Sequence, residues 1–365
     1  MINTTSRRKI EHLKLCAESQ VEARKVSAGF EDVTLIHRAL PELNMDKLDL
    51  SIDFLGKRLQ APFLIASITG GHPETLSVNS ALAGAAEELG IGIGVGSQRA
   101  AIDDPAQEKS FRIVRDRAPK AFIYGNIGAA QIRQYGVEGV EKLIEMIDAD
   151  ALAIHLNFLQ EAIQPEGDRD ATGCLDAIKE ICSMQNTPVI VKETGAGISR
   201  EDALLLQKAG VSAIDVGGVG GTSWAGVEVY RARESEDSVS ERLGELFWDF
   251  GIPTVASIIE SRVSLPIIAT GGIRTGLDIA KSISLGASAA SAALPFVGPS
   301  LKGEKAVINV LSHMLDEFKA AMFLCGCGNI KDLHNAPVVV TGWTLEYIGQ
   351  RGFNVKDYAV SRETF

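Results

Sequence analysis

Cysteine is scarce in this chain: five residues, at positions 16, 174, 182, 325 and 327, in a length of 365. An odd number at scattered spacing excludes a disulfide framework. Cys325-Gly326-Cys327 could form a metal or redox pair. No further Cys or His cluster has zinc spacing, however, and small residues at a helix end explain the triplet equally well. No apolar run approaches the roughly 20 residues that a membrane helix needs. Basic residues are outnumbered, 36 Lys and Arg against 47 Asp and Glu, for a formal charge of −11. That field argues against non-specific nucleic-acid binding, though not against a small anion held by local donors. The N-terminus is polar and charged, without the apolar segment of a secretory signal. These absences lead us to expect a soluble, cytoplasmic protein with neither membrane nor nucleic-acid partners.

Glycine, by contrast, is plentiful. The 36 glycines are roughly a tenth of the chain, above the usual share of about 7%. Many follow directly on short apolar runs. Eight such runs read as strands: 63–67, 91–95, 121–125, 151–155, 188–192, 213–217, 266–270 and 288–293. Amphipathic stretches between most of them read as helices: 77–89, 106–117, 136–147, 174–184, 200–209, 242–262 and 275–285. Eight strands alternating with helices predict a parallel sheet, and the number eight favours a closed (β/α)8 TIM barrel over an open doubly wound sheet. Gly92, Gly94 and Gly96 lack the spacing of a dinucleotide fingerprint. Residues 62–365 are expected to form the barrel. Residues 1–61, with a helix at 6–28 and a hairpin at 48–60, are expected to cover its mouth as an N-terminal extension of a single domain. The polar segment 231–243 reads as a mobile loop or a solvated insertion.

Active sites of such barrels lie in the loops after the strands. Read in order, these loops hold Ser67, Ile68 and Thr69; Ser97, Gln98 and Arg99; Asn126; His155, Asn157, Gln160 and Glu161; Lys192; Gly217 to Thr222; Gly271, Gly272, Ile273 and Arg274; and Ala292 with Ala293. His155 and Asn157 share one face of their strand. Gln160 and Glu161 fall just past its end. Four polar groups at one strand end suit a polar ligand better than a core, where each would need a partner. The Gly271–Arg274 stretch leads into a helix expected near Thr275, whose free N–H groups and dipole would bind phosphate. The alternative is a glycine-rich turn with a surface arginine. Lys192 ends an apolar strand. It could form a Schiff base, face a cofactor such as a flavin, or snorkel outward. Arg7, Arg8, Lys9 and His12 crowd one helical turn, as a solvated basic face or, if the segment folds over the mouth, as a diphosphate clamp.

Taken together these motifs resemble one family, the type 2, flavin-dependent isopentenyl-diphosphate isomerases. The likeness covers nearly the whole chain. It rests on Arg8-Lys9 with His12, Ser67-x-Thr69-Gly-Gly, Gly96-Ser97-Gln98-Arg99, Asn126, His155-Leu-Asn157-x-x-Gln160-Glu161, Val-Lys192-Glu, Gly220-Gly-Thr222-Ser-Trp224 and Gly271-Gly272-Ile273-Arg274. The last element is shared with other FMN barrels. Ile68 stands where the family often has Met. The resemblance implies FMN, active in its reduced form, held by Ser67, Ile68, Thr69, Ser97, Asn126, Lys192, Thr222, Gly272, Ile273, Arg274, Ala292 and Ala293. It implies isopentenyl and dimethylallyl diphosphate as substrates, contacted by Arg8, Lys9, His12, Ser97, Gln98, Arg99, His155, Asn157 and Gln160. Glu161 would ligate Mg2+, and NADPH or NADH would reduce the flavin. Gln160 and His155 would support a proton transfer carried by FMN itself. A homo-oligomer, tetramer or octamer, is also implied. An FMN-dependent oxidoreductase of the hydroxy-acid oxidase or nucleotide reductase kind shares the barrel and the phosphate loop and is the alternative.

Overall fold

The computed structural model describes residues 4–360, with side chains from residue 8 onward, so the Arg7 side chain lies outside the described residues. Eight parallel strands close into a barrel. They are β1 (Phe63–Ile65), β2 (Gly92–Gly94), β3 (Phe122–Gly128), β4 (Ala151–Leu156), β5 (Val189–Glu193), β6 (Ala213–Asp215), β7 (Ile267–Thr270) and β8 (Ala289–Ala292). Each lies in an apolar run that the sequence marked. β8 closes on β1 through Ala290 opposite Phe63 and Ala292 opposite Ile65. Strands buried on both faces need continuous apolar runs, and helices packed outside supply the second cover.

Side chains alternate inward and outward along a strand. The inward set forms a core of Phe54, Leu59, Leu64, Phe122, Tyr124, Ala151, Ala153, Ile190, Ala213, Ile268 and Ala289. Phe122, Ala151, Ala213 and Ala289 begin their strands. Phe54 and Leu59 come from the antiparallel hairpin Ile52–Phe54/Lys57–Leu59, and the Phe54 ring meets Phe122 edge-on at 5.4 Å. The hairpin therefore plugs the end where the strands start, not the mouth. Only the first part of the N-terminal segment reaches the mouth.

That part is the helix α1 (Thr4–Glu18), ten residues shorter than the expected end at 28. Beyond it the chain runs extended across the 220–223 loop: the Ala23 N–H donates to Gly221 O and the Ser223 N–H to Val21 O. Gly220, at φ +113°, lies so close to this segment that a Cβ would sit 2.0 Å from Ala28 N. Backbone pairing onto a glycine loop replaced the last expected turns of helix.

The 231–243 stretch is helical rather than a loop or insertion. Helix α2 (Trp224–Glu234) and helix α3 (Ser238–Leu246) meet at Asp237, whose carboxylate accepts from the Val239 and Ser240 N–H groups. Arg233 ties them through Glu241 and Glu245, each at 2.8 Å. The expected 242–262 helix is consequently two, with a break at Gly251 (φ +137°) and Pro253 before Thr254–Glu260. No helix among the described residues is long and apolar enough to cross a membrane.

Candidate active site

A cavity opens where the strands end, roofed by α1. Most of the expected site residues line it: Arg8, Lys9 and His12 from α1; Ser67, Ile68, Ser97, Arg99, Asn126, His155, Asn157, Gln160, Glu161, Lys192 and Thr222 from the strand ends and loops; and Gly272, Ile273, Arg274, Ala292 and Ala293 from the last two loops. Two do not. The Gln98 side chain is fully buried beside β3, donating to Leu143 O at 2.9 Å and accepting from the Asn126 N–H at 3.0 Å. It braces Asn126 and does not face a substrate. Thr69 is buried behind the wall, where its carbonyl accepts from the Gly96 N–H.

His155 and Asn126 set one side of the cavity. Asn126 Nδ2 donates to Val95 O at 3.1 Å, which turns Oδ1 toward His155 Nδ1 at 2.8 Å. An amide oxygen only accepts, so the imidazole carries its proton on Nδ1 and leaves Nε2 as an acceptor. Burial, with the charges of Lys192 and Lys9, holds His155 down to about 3. At neutral pH it is an uncharged hydrogen-bonding group, not an acid. Lys192, its register neighbour on β5, is buried and donates to Glu193 O at 2.9 Å. The ammonium is thereby placed at the cavity floor.

The roof is cationic. Lys9 is depressed to about 7, first by burial and then by Arg8 and Arg99. Positive groups held this close favour an anion between them. Arg8 Nη1 lies 3.5 Å from both Gln164 Oε1 and Glu166 Oε1, and Arg99 Nε lies 3.6 Å from Asp103. On the facing wall Glu161 accepts from Asn157 Nδ2 at 2.8 Å, Gln164 Nε2 at 2.6 Å and the Asp168 N–H at 2.7 Å. Among the described residues no three His, Cys, Asp or Glu side chains gather as a metal site. A lone buried carboxylate fits Mg2+ that takes its remaining ligands from phosphate oxygens and water.

Sequence reasoning missed Glu228, which comes from the centre of α2. It is 1% exposed, accepts from Gln160 Nε2 at 2.7 Å and from Arg231 at 2.5 Å, and lies 3.3 Å from His12 Nε2. Arg231 and His12 hold its carboxyl down to about 2 despite burial. His12 packs edge-on against Trp224 at 5.1 Å. The 231–243 segment looked like surface because its charges were read without partners. The i, i+3 pair Glu228–Arg231 was the available signal.

The phosphate end differs from expectation in one respect. The helix α4 (Gly276–Ser284) begins with its N–H groups already used: Asp278 accepts from Arg274 and Thr275, and Glu317 from Gly276. That terminus is filled by the protein's own carboxylates. The uncommitted amides of Gly272 and Ile273 remain, beside the helix Leu294–Lys302, which has no side-chain cap but whose Pro295 lacks an N–H and whose Phe296 N–H already donates to Ala293 O. Gly271 and Gly272 have φ of +113° and +69°, and a Cβ on them would meet Gly218 O and Gly220 O at 2.2 and 2.6 Å. Ala292 and Ala293 leave room opposite. Arg274 pairs with Glu22 of the extended N-terminal segment. On the floor the hydroxyls of Ser67, Thr270 and Ser291 are buried without a well-aligned hydrogen bond, Ser67 and Ser291 beside Tyr124 and Thr270 beside Asp215. A close-approach glycine cradle, a fixed lysine and buried hydroxyls fit a phosphorylated, hydrogen-bonding cofactor such as FMN.

Fold and cradle together define a flavin-type barrel enzyme, and the comparisons agree. The model of the FMN-dependent dehydrogenase family matches residues 3–116 and 155–340. Among solved structures, a lactate oxidase of Pediococcus acidilactici superposes with a TM-score of 0.63 at 17% identity, over 93% of this chain and 94% of that one. A mandelate oxidase mutant with an FMN adduct gives 0.59 at 18%, over 90% and 95%. At such identities these show the fold, and they lend the oxidoreductase alternative nothing more. An isopentenyl-diphosphate delta-isomerase of Methanosarcina acetivorans is 86% identical over 99% of both chains. One of Archaeoglobus fulgidus is 54% identical over 96% of this chain and all of the other. The chain belongs to this family, the type 2, FMN-dependent isopentenyl-diphosphate delta-isomerases.

Proposed function

We propose that this protein interconverts isopentenyl diphosphate and dimethylallyl diphosphate by a 1,3-proton shift, with reduced FMN and Mg2+. The observation that carries the reading is the division of one cavity. Arg8, Lys9 and Arg99 make a cationic roof facing Glu161, while Lys192 and the glycine loop make a floor shaped for a phosphorylated ring. A substrate with an anionic head and a short apolar tail matches that division.

When bound and reduced, FMN would supply the acid/base group and an electron-rich face for developing positive charge. The protein's own side chains orient, hold and exclude. Arg8, Lys9 and Arg99 would bind the diphosphate, with Mg2+ between it and Glu161. Lys192 would favour a negative charge on the ring. His155 would accept a hydrogen bond through Nε2, as its tautomer requires. Gln160, whose Nε2 is committed to Glu228, would present Oε1 to the substrate. Glu161 is committed to three hydrogen-bond donors and Glu193 to the Thr194, Gly195 and Ala196 N–H groups, so proton delivery to a weakly basic alkene is left to the cofactor. NADPH or NADH would serve as reductant.

Product analysis of purified protein with isopentenyl diphosphate, Mg2+ and FMN tests this reading. Isomerisation is expected after reduction of the flavin. Equal turnover by fully oxidised enzyme without reductant would sink the assignment of the chemistry to reduced FMN.

A further inference from the structure

Arg231 belongs to no part of the site so far described, yet it bonds two of the site's neighbours. Its Nη1 donates to Glu228 at 2.5 Å and its Nη2 to Glu166 at 2.7 Å, while Nε lies 3.6 Å from Glu11 of α1. The three carboxylates come from α2 itself, from the loop after the Phe158–Ile163 helix, and from α1. Glu166 also lies 3.5 Å from Arg8. One chain of contacts thus runs from Arg8 at the roof, through Glu166, Arg231 and Glu228, to Gln160.

The consequence falls on the Gln160 amide. An ionised carboxylate only accepts hydrogen bonds, so beside charged Glu228 the amide must turn its NH2 that way. The carbonyl oxygen is then the end left for the ligand. A neutral, protonated Glu228 would donate instead and allow the opposite flip. Three groups face the Glu228 carboxylate: Gln160, His12 and Arg231. Gln160 carries no charge. His12 is held below its ordinary range by burial, so it is a poor source of positive charge. Its Nε2, 3.3 Å from the carboxylate, adds to the pull on Glu228 only when the ring is protonated. Arg231 is the permanent counter-charge. Lysine would replace it only in part, because it lacks the fixed fork by which Nη1 and Nη2 reach carboxylates on different elements.

We propose that Arg231 is a positioning residue for the isomerisation: pinned between Glu166 and Glu228, it fixes the Gln160 amide with its carbonyl oxygen toward the substrate. The inference rests on the isomerase reading. Glu228 gains stability by being ionised in the fold, a gain present above its unfolded value near 4.5 and lost as pH falls toward 2. Without Arg231 the folded carboxyl takes up its proton at higher pH, and less of this gain is there to be lost.

The test compares Arg231→Gln and Arg231→Lys with an Arg233→Gln control, whose arginine serves only the α2–α3 contact. In the reduced, FMN- and Mg2+-loaded enzyme, Arg231→Gln should lower kcat by about 10- to 100-fold. KM should stay within about threefold and the acid limb of kcat should move up by about one pH unit or more. Arg231→Lys should keep the limb near its wild-type place but recover only part of kcat. In FMN-free protein, Arg231→Gln should have the lower Tm at pH 7 but the smaller fall in Tm between pH 7 and pH 4.5, compared with wild type and control. Should Arg231→Gln not fold, Glu166→Gln, which removes the outer anchor together with its contact to Arg8, should lower kcat in the same direction by a smaller factor, and its acid limb should move up while KM carries any effect through Arg8. An unchanged kcat, or a lowered kcat with an unmoved acid limb and an equal loss of FMN binding, overturns the proposal. Wild-type protein that fails to isomerise under reducing conditions overturns the isomerase reading instead.

Discussion

His155 Nδ1 and Asn126 Oδ1 lie 2.8 Å apart across β3 and β4, and this contact fixes the tautomer of the one histidine, among the described residues, on the cavity's strand wall, while burial, Lys192 and Lys9 keep its ring uncharged. Because the folded value, about 3, lies below the ordinary 6.5, the unfolded chain binds the extra proton first. The neutral histidine's contribution to stability is whole above pH 6.5 and is lost as pH falls toward 3. His155→Gln should therefore lose less stability than wild type between pH 6.5 and 5, by about 2 kcal/mol. Urea unfolding at the two pH values measures the difference. An equal loss in both proteins would mean that His155 is charged in the fold.

Lys9, depressed to about 7 by burial and neighbouring arginines, should lose its charge as pH rises through neutrality. If it binds diphosphate, kcat/KM for the free enzyme should fall above pH 7. Lys9→Arg should flatten that limb. Lys9→Gln should raise KM about tenfold or more at pH 6.5, while FMN affinity, read by flavin fluorescence, stays within about threefold. A limb that persists in Lys9→Arg assigns it to another group.

Glu161 is the carboxylate of the cavity wall that faces the cationic roof and that we propose for Mg2+. Glu161→Gln should raise the Mg2+ concentration for half-maximal activity by about tenfold or more. FMN binding, which uses the opposite part of the cavity, should change little. Titrating activity against Mg2+ at fixed substrate decides this, and an unchanged Mg2+ response removes Glu161 from the ligand set.

At the other end of the barrel Phe54 fills the strand-start opening against Phe122. It is 2% exposed, so Phe54→Ala should cost about 3–5 kcal/mol, the transfer term plus the cavity left behind. Because the hairpin touches no cavity residue, the kcat of the folded fraction should hold at low temperature. A mutant of wild-type stability would place the hairpin elsewhere.

The strands were legible because each is a short apolar run, several of them followed by glycine. β5 shows this well, ending at Lys192-Glu193 before Gly195. Residues 155–161 were legible as a site for a related reason: a core has no use for that many polar groups at one strand end. The helix at 231–246 and the shortened α1 were not legible. Arg233 finds Glu241 and Glu245 only once two helices lie side by side, and residues 21–28 leave the helical path because Gly221 and Ser223 offer backbone partners. Those partners are distant in sequence and near in space.

The same division runs through the chemistry. Local pattern alone determined that this chain is a closed eight-stranded barrel, with a glycine cradle after β7 and a polar cluster after β4, since periodicity and turn residues act over a few positions. The tertiary structure decided which groups are charged and which amides are free. It made His155 neutral, held Glu228 ionised through Arg231, and filled the α4 terminus with Asp278 and Glu317. Protonation and hydrogen-bond commitment depend on burial and on partners brought in from other strands and helices, which exist only after the barrel has closed.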